Sequence, residues 1–271
     1  GGSSTGGERE KPPMPGEFKN ILYEEGAGRV TVTINRPPLN LINMETFEEL
    51  QRALRRAQKI EGLKALVLTG SGEQAFSAGI TIESFTPERI QGFLDIARGT
   101  MGILEEFDVV TIAAIKGLAL GGGCELASCC DLILAADTAQ FGFPEVKAGL
   151  FPPVGVVVLP RLVGLRKALE LVLTGDIIGS HEAQKLGLVN SVHPLEEFDR
   201  AVTRFVGRIN RASAAVLRIA RRAVYASVDA DLRTALDRSG SLYLNDLMNT
   251  EDAHEGLAAF REHRRPRWKN R

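Results

Sequence analysis

The chain has 271 residues, of which 44% are hydrophobic and 25% are charged, and its formal net charge at pH 7 is −1. This balance predicts a soluble globular protein with a sizeable core, and it gives no electrostatic reason to expect wholesale binding to DNA or to an acidic membrane surface. No apolar run is long enough to cross a membrane, so we expect no membrane partner.

The segment 1–17 is rich in Gly, Ser and Pro and contains no cluster of apolar residues. A segment of this composition cannot bury enough apolar surface to fold, so we expect a disordered tail. It also lacks the continuous apolar stretch of a secretory signal, and it carries acidic residues that are unusual in transit peptides. We therefore do not interpret it as a targeting signal.

The ordered part begins near Phe18 with a pattern typical of α/β proteins. In Arg29–Ile34 apolar residues alternate with polar ones, which predicts a half-buried strand. Asn43 can cap the helix that follows, in which the apolar residues fall at helical spacing. These residues are Phe47, Leu50, Leu54 and Ala57. A short apolar run at 65–68 predicts a second, buried strand, so the order is strand, helix, strand.

Two stretches then combine the end of a strand with a turn of small residues. The first is AFSAGIT at 75–81, with Ala78 and Gly79 at the turn. The second follows an apolar run at 109–115 and contains three consecutive glycines at 121–123. Turns of this kind expose backbone N–H groups. Two such groups meeting at one oxygen form an oxyanion hole, which stabilises an enolate or a tetrahedral intermediate by about 3–4 kcal/mol per donor.

Two carboxylates follow the second turn. Glu125 comes directly after the glycines and Cys124, and Glu145 follows an apolar strand at 132–136 and a turn. Because that strand brings the chain back, the two carboxylates can converge on one pocket. Their spacing alone also fits a solvated helix residue and a turn residue without a catalytic role.

The three cysteines, Cys124, Cys129 and Cys130, lie within seven residues of one another. They form no paired CxxC motif and have no histidines at zinc-site spacing, so we expect no metal. Cysteines on an apolar element are typical of small buried hydrophobic residues in a reducing compartment. We therefore expect a cytoplasmic protein.

The two stretches AFSAGIT and IKGLALGGGCELASCCDLILAADTAQFGFPE resemble the enoyl-CoA hydratase/isomerase (crotonase) family. The resemblance continues through LTGD at 173–176 and GLV at 187–189, and it covers the chain from about Phe18 to the end. It implies an α/β fold, a spiral of ββα repeats with a helical C-terminal region that drives trimerisation. On this basis we divide the chain into a tail at 1–17, a spiral core at 18–208 and a helical oligomerisation region at 209–271.

The resemblance also implies roles for four residues. The family's two oxyanion donors correspond to the N–H groups of Ala78 and Gly122, and its two hydratase glutamates correspond to Glu125 and Glu145. The implied reaction adds water to the C2=C3 bond of an acyl-CoA thioester, with Glu125 helping to remove the proton of the water and Glu145 delivering a proton to C2. The CoA thioester is the substrate, and no cofactor or metal is implied.

The sequence departs from the family's usual pattern in two places. Thr81 stands where an Asp usually follows the Ala-Gly element, so a role for an acid there cannot be assumed. The segment GLFPPVGVVVLPR at 149–161 replaces the usual Pro-Gly-x-Gly-Gly turn and is stiffer and more apolar. It fits either a packed start of a helix or a reshaped acyl pocket lined by Phe151, Pro153 and Val154.

These departures resemble hydratases that act on cyclic dienoyl-CoA thioesters in aromatic-ring degradation, such as cyclohexa-1,5-diene-1-carbonyl-CoA hydratase. A hydratase of straight-chain enoyl-CoA is an equal alternative. An enoyl-CoA or dienoyl-CoA isomerase also fits, because the same carboxylates can move a double bond. A further alternative is a member of the family that binds RNA and does not depend on turnover.

The last part of the chain predicts helices with an apolar face that suits packing between subunits. We therefore expect a homotrimer or a hexamer, with an acyl-CoA as the small-molecule partner. The basic tail at 263–271 fits either a solvated end or a set of cations that meet the CoA phosphates.

Overall fold

The structure, a computed structural model, describes residues 17–26 and 28–271. The predicted disordered tail therefore lies, apart from Glu17, outside the described residues. The strands are β1 Ile21–Gly26, β2 Arg29–Ile34, β3 Ala65–Gly70, β4 Ala75–Ser77, β5 Val110–Ile115, β6 Leu118–Leu120, β7 Leu132–Ala136, β8 Gln140–Gly142, β9 Ile177–Gly179 and β10 Ser191–His193. The helices are α1 Met44–Ala57, α2 Ile90–Glu105, α3 Gly122–Ser128, α4 Gly155–Val163, α5 Leu165–Thr174, α6 Ser180–Lys185, α7 Phe198–Ile209, α8 Ala214–Val228, α9 Leu232–Asn245 and α10 Glu251–Arg261.

The strands form two sheets. The larger sheet has the order β1-β2-β3-β5-β7-β10 and is parallel except for the pairing of β1 with β2. The smaller sheet has the order β4-β6-β8-β9, with β9 antiparallel to β8. Along the chain, a long strand of the first sheet is followed by a short strand of the second and then by a helix, as in β3-β4-α2 and β5-β6-α3. This repeat is the predicted spiral of ββα units.

The early elements confirm the sequence patterns. The alternation in β2 places Val30, Val32 and Ile34 in the core, where each is fully buried. At the start of α1, the side chain of Asn43 accepts a hydrogen bond from the Thr46 N–H at 2.9 Å, which is the predicted cap.

Thr86 followed by Pro87 is a sequence pattern typical of a helix start, with Thr86 as the cap, but α2 begins later. Residues 82–85 form a short 3₁₀ helix, and α2 begins only at Ile90. The N–H groups of Arg89 and Ile90 both donate to the carbonyl oxygen of Thr86, so Thr86 contributes a backbone acceptor and not a side-chain cap.

A partly buried ion pair helps to attach the helical C-terminal region to the core. The Arg221 guanidinium on α8 donates from Nε to both carboxylate oxygens of Asp131, each at 2.9 Å. It also donates to the carbonyl oxygens of Leu104 and Glu105 at the end of α2. Several large apolar side chains on α9 and α10 are exposed in this chain. They are Leu232, Leu236, Tyr243, Leu244, Leu257 and Phe260.

The basic tail is bound to the rest of its own chain by backbone and side-chain contacts. The buried carboxylate of Asp252 accepts from the N–H groups of Lys269 and Asn270, each at 2.7 Å, and the Trp268 indole N–H donates to Arg211 O. Arg264 forms an ion pair with Glu255. The tail is therefore not simply solvated, and part of its charge is neutralised within the chain. No helix in the described part of the chain is long and apolar enough to cross a membrane.

Candidate active site

The first predicted turn is anchored to the segment at 39–42, which precedes it in the chain. Ala78 N–H donates to Leu39 O at 2.9 Å, Ile42 N–H donates to Gly79 O at 2.9 Å, and Thr81 N–H donates to Ile42 O at 3.0 Å. These three hydrogen bonds fix the directions of the peptide groups 77–78, 79–80 and 80–81.

This anchoring corrects the prediction for Ala78. Its N–H is already used by a backbone carbonyl, so it is not available to a ligand. The Gly79 N–H donates to Ser77 Oγ at 3.2 Å. Within the described residues, Ile80 is the member of the turn whose N–H makes no hydrogen bond. The donor that this turn can offer to a ligand is therefore Ile80.

Sequence reasoning missed Asn40, which holds the anchoring segment in place. Asn40 is fully buried, and its Nδ2 donates to Ala75 O at 2.7 Å and to Ser71 O at 3.0 Å. Its Oδ1 accepts from the Arg36 N–H. Its φ of +50° lies in the left-handed region, which Asn tolerates better than most residues do. An Asn two residues after a Pro-Pro pair, with Leu39 before it and Leu41 and Ile42 after it, was the available signal.

The three glycines of the second turn each permit a close approach. A Cβ on Gly123 would lie 2.7 Å from the Cβ of Ser77, so this glycine lets α3 pack against β4. A Cβ on Gly121 would lie 2.6 Å from Oε1 of Glu145. Gly121 also has a φ of +50°, which an L side chain rarely adopts. The Glu145 carboxylate therefore lies directly against the turn.

The middle glycine brings the two predicted turns together. A Cβ on Gly122 would lie 2.6 Å from Cγ1 of Ile80 and 3.9 Å from Oε2 of Glu125. The N–H of Gly122 makes no hydrogen bond with any residue that the structure describes. The Ile80 and Gly122 residues are therefore neighbours, and each has an unused backbone donor.

Glu125 is buried and held by the start of α4. Its side chain is on α3, the residue is 2% exposed, and its Oε1 accepts from the N–H groups of Val154 and Gly155 at 2.7 and 2.8 Å. Burial raises the pKa of Glu125 to about 7, the two N–H donors oppose that rise, and the nearby charge of Glu145 adds to it. Oε1 is thus fixed by two donors, and Oε2 is the oxygen that can interact with a ligand.

Glu145 lies in the 3₁₀ helix Pro144–Ala148, just after β8. Its Oε2 is buried and has no hydrogen-bond partner among the described residues. Burial raises the pKa of this carboxyl. A buried polar atom without a partner is costly unless a water or a ligand supplies one. The Glu145 carboxyl can therefore form a hydrogen bond with a water or with a polar group of a ligand.

The predicted pocket residues at 151–154 have different environments. Val154 contacts the site through its backbone N–H, and its side chain is half-buried against the main core. Phe151 is 64% exposed and Pro153 is exposed as well. Pro153 has no backbone N–H, so the segment at 151–155 binds Glu125 through the N–H groups of Val154 and Gly155. That these residues line an acyl pocket stays a prediction.

The cysteines are free thiols, with Cys124 and Cys130 buried and Cys129 half-buried. Burial raises the pKa of Cys124 to about 12, which keeps it neutral beside the two glutamates. Within the described residues, no cluster of His, Cys, Asp and Glu side chains could hold a metal ion.

Comparison with known proteins places this site in a family. The model of the enoyl-CoA hydratase/isomerase family matches residues 24–271. The chain belongs to the enoyl-CoA hydratase/isomerase family. The crotonyl-CoA hydratase of Syntrophomonas wolfei is 34% identical over 256 residues, which are 92% of this chain and 97% of that protein. The short-chain-enoyl-CoA hydratase of Clostridium acetobutylicum is 33% identical over 254 residues, 92% of this chain and 97% of that protein.

A solved structure confirms the fold of this enoyl-CoA hydratase/isomerase family member. The enoyl-CoA hydratase of Bacillus anthracis superposes with a TM-score of 0.89 at 32% identity, over 93% of this chain and 100% of that one. The family resemblance drawn from the two motifs is therefore confirmed, and so is the crotonase-type α/β fold. The narrower resemblance to hydratases of cyclic substrates is not established by these relatives and stays a prediction.

Proposed function

We propose that this protein is an enoyl-CoA hydratase, which adds water across the C2=C3 bond of an acyl-CoA thioester. The observation that carries the proposal is the pair of carboxylates that lie against one glycine turn, the buried Glu125 and the half-buried Glu145. The names of the relatives, crotonyl-CoA hydratase and short-chain-enoyl-CoA hydratase, support the same reaction. The CoA thioester is the substrate in this proposal, and neither a cofactor nor a metal takes part.

The thioester carbonyl oxygen binds between the N–H groups of Ile80 and Gly122. Both donors are unused in the described chain, and the two residues are in contact. This assignment keeps the predicted role of Gly122 and moves the other donor from Ala78 to Ile80. As water adds to C3, negative charge develops on the thioester oxygen, and preorganised donors stabilise it by about 3–4 kcal/mol each.

The two glutamates divide the proton transfers between them. Ionised Glu125 takes a proton from water as the water oxygen bonds to C3, and the electron pair of the double bond moves to the thioester oxygen. Protonated Glu145 then delivers its proton to C2, which restores the carbonyl group. Glu125 leaves the reaction protonated and Glu145 ionised, and exchange with solvent resets both.

The surroundings of the two carboxyls support these roles. The pKa of Glu125 is about 7, since burial raises it while two N–H donors on Oε1 favour the ionised form, so this carboxyl is ionised in a large share of molecules near neutral pH. Oε2 of Glu145 accepts no hydrogen bond from the described residues. The ionised form of Glu145 is therefore not stabilised at this oxygen, which suits the carboxyl to act as the proton donor. Two neighbouring carboxylates also resist being ionised together, so the split is favoured electrostatically.

The experiment that tests the proposal follows the ultraviolet band of the conjugated enoyl thioester. With crotonyl-CoA as substrate, we expect the wild type to bleach this band. The variants Glu125→Gln and Glu145→Gln should each lose at least about 100-fold in kcat, the usual contribution of a general acid or base. Well-folded protein that binds the thioester without bleaching the band would overturn the hydratase assignment. Migration of the double bond without addition of water would favour an isomerase. Binding of RNA by a protein that turns over no thioester would favour the RNA-binding alternative.

The acyl group is a finer proposal. We favour a short straight-chain enoyl group, in line with the named relatives, and we keep the cyclic dienoyl-CoA as the second candidate. The same assay with both substrates separates them, because a preference for crotonyl-CoA excludes the cyclic assignment.

The exposed apolar side chains on α9 and α10 support the prediction that copies of this chain associate as a homotrimer or a hexamer. Leu232, Leu236 and Phe260 are each more than 60% exposed in the single chain. Sedimentation of the purified protein distinguishes the two assemblies from a monomer.

A further inference from the structure

Ile80 contributes to the site through two different groups. Its backbone N–H is the donor proposed above for the thioester oxygen. Its side chain lies against the Cα of Gly122, with Cγ1 only 2.6 Å from the point where a Cβ on Gly122 would lie. Oε2 of Glu125 is 3.9 Å from the same point. The Ile80 side chain therefore occupies the space beside Gly122, next to the free oxygen of Glu125.

The Ile80 side chain has little freedom to leave this volume. It is half-buried and packs against the main hydrophobic core. The backbone on both sides is fixed by the hydrogen bonds of Gly79 and Thr81 to Ile42. A β-branched side chain is also stiff at χ1, so rotation does not readily open the space.

The position of the thioester defines which part of the substrate meets this side chain. If the carbonyl oxygen lies between the Ile80 and Gly122 donors, C2 is one bond from the carbonyl carbon and therefore lies next to the Ile80 side chain. A straight-chain 2-enoyl group has only a hydrogen atom on C2. An α-branched group has a methyl or a ring carbon there, which needs room of its own.

We propose that the side chain of Ile80 makes the site selective for enoyl thioesters that carry no carbon substituent on C2. The excluded class includes 2-methyl-branched enoyl thioesters and cyclic ones, in which the α-carbon belongs to the ring. This inference rests on the proposed hydratase function and deepens it. It favours the straight-chain candidate over the cyclic one on grounds that are independent of the names of the relatives.

The test compares crotonyl-CoA with 2-methylcrotonyl-CoA as substrates of the wild type, Ile80→Val and Ile80→Ala. Both variants keep the backbone N–H, and valine removes only the terminal methyl group that lies closest to Gly122. We expect the ratio of kcat/KM for the branched to the straight substrate to rise at least about tenfold in Ile80→Ala, since one or two carbons in a pocket are worth about 10- to 200-fold. Ile80→Val should give a smaller rise in the same direction.

Ile82→Ala is the matched control, because Ile82 is two residues away and 70% exposed. It should leave the ratio as in the wild type. An unchanged ratio in both Ile80 variants, or an equal rise in the Ile82 variant, overturns the proposal. If Ile80→Ala does not fold, the milder valine variant, checked by thermal melting, still decides the question. Failure of the wild type to hydrate crotonyl-CoA at all overturns the proposed function itself, so the two failures are distinguishable.

Discussion

The carboxylate of Glu145 lies against the backbone of Gly121, so that a Cβ at position 121 would stand 2.6 Å from Oε1 and 3.3 Å from the carboxyl carbon. The two residues come from different repeats of the spiral, Gly121 from the turn before α3 and Glu145 from the 3₁₀ helix after β8. The Glu145 carboxylate can therefore lie in this position only because residue 121 has no side chain.

Gly121→Ala should reduce hydratase activity by more than it reduces stability. The new methyl group displaces the Glu145 carboxylate, and misplacing a catalytic group by about 1 Å can cost about 100-fold in rate. The positive φ at 121 adds a strain of about 1–3 kcal/mol to the folded state. Initial rates with crotonyl-CoA and a urea titration measure the two effects.

Gly164→Ala is the control for backbone strain alone. Gly164 has a φ of +79°, but a Cβ there would meet nothing within 4 Å. This variant should lose a similar amount of stability and retain its activity. Equal activities of the Gly121 and Gly164 variants would contradict the role given to Gly121.

The pH dependence of the reaction should report the ionisation of Glu125. The proposed base must be ionised in the free enzyme, and burial raises the pKa of Glu125 to about 7. We therefore expect kcat/KM for crotonyl-CoA to fall as the pH is lowered through about 7, approaching a tenfold loss per pH unit. A profile that is flat from pH 8 down to pH 5 excludes Glu125 as the base.

The same ionisation should make the folded protein less stable at alkaline pH. Folding raises the pKa of Glu125 from 4.5 to about 7. The contribution of this carboxyl to the free energy of unfolding is therefore fully present below pH 4.5 and is lost as the pH rises through 7. Glu125→Gln removes this titration and leaves an oxygen that can accept from the N–H groups of Val154 and Gly155. At pH 8 the variant should therefore be more stable than the wild type, by at most about 3 kcal/mol.

Urea titrations of both proteins at pH 5 and at pH 8 measure this difference. The advantage of Glu125→Gln over the wild type should shrink toward pH 5, where wild-type Glu125 is largely protonated. A stability difference that is the same at both pH values shows that ionised Glu125 carries no such cost in the folded state.

The sequence was sufficient for the two carboxylates and for one of the two turns. The motif from Gly117 to Glu145 is continuous, and the strand within it returns the chain, so convergence of Glu125 and Glu145 follows from local order along the chain. The choice between Ala78 and Ile80 as donor did not follow from the sequence. It depends on which N–H is already bound, and the bound one pairs with Leu39, forty residues away.

The same reason explains why Asn40 was missed. Its importance comes from hydrogen bonds to Ser71 and Ala75, which are more than thirty residues distant in the chain. A pattern of local spacing contains no information about such partners. Tertiary contacts, and not propensities, decide the role of a single buried polar residue in a loop.

The ion pair between Arg221 and Asp131 gives a prediction about the attachment of the helical C-terminal region. The two side chains are 11% and 12% exposed, and the guanidinium also bonds the last carbonyl groups of α2. Arg221→Ala leaves the Asp131 carboxylate largely buried without its cation, which typically costs about 3–5 kcal/mol. We expect a loss near the lower end, because the Tyr225 hydroxyl still donates to Asp131.

Arg222→Ala is the matched control, one residue further along the same helix. Arg222 pairs with Asp246 at 2.7 Å, but the side chains are 47% and 41% exposed, and such pairs contribute about 0–1 kcal/mol. Chemical denaturation of the two variants should therefore differ by about 2 kcal/mol or more. If both variants lose the same small amount, the partly buried pair of Arg221 and Asp131 adds nothing to the attachment of the region that follows residue 213.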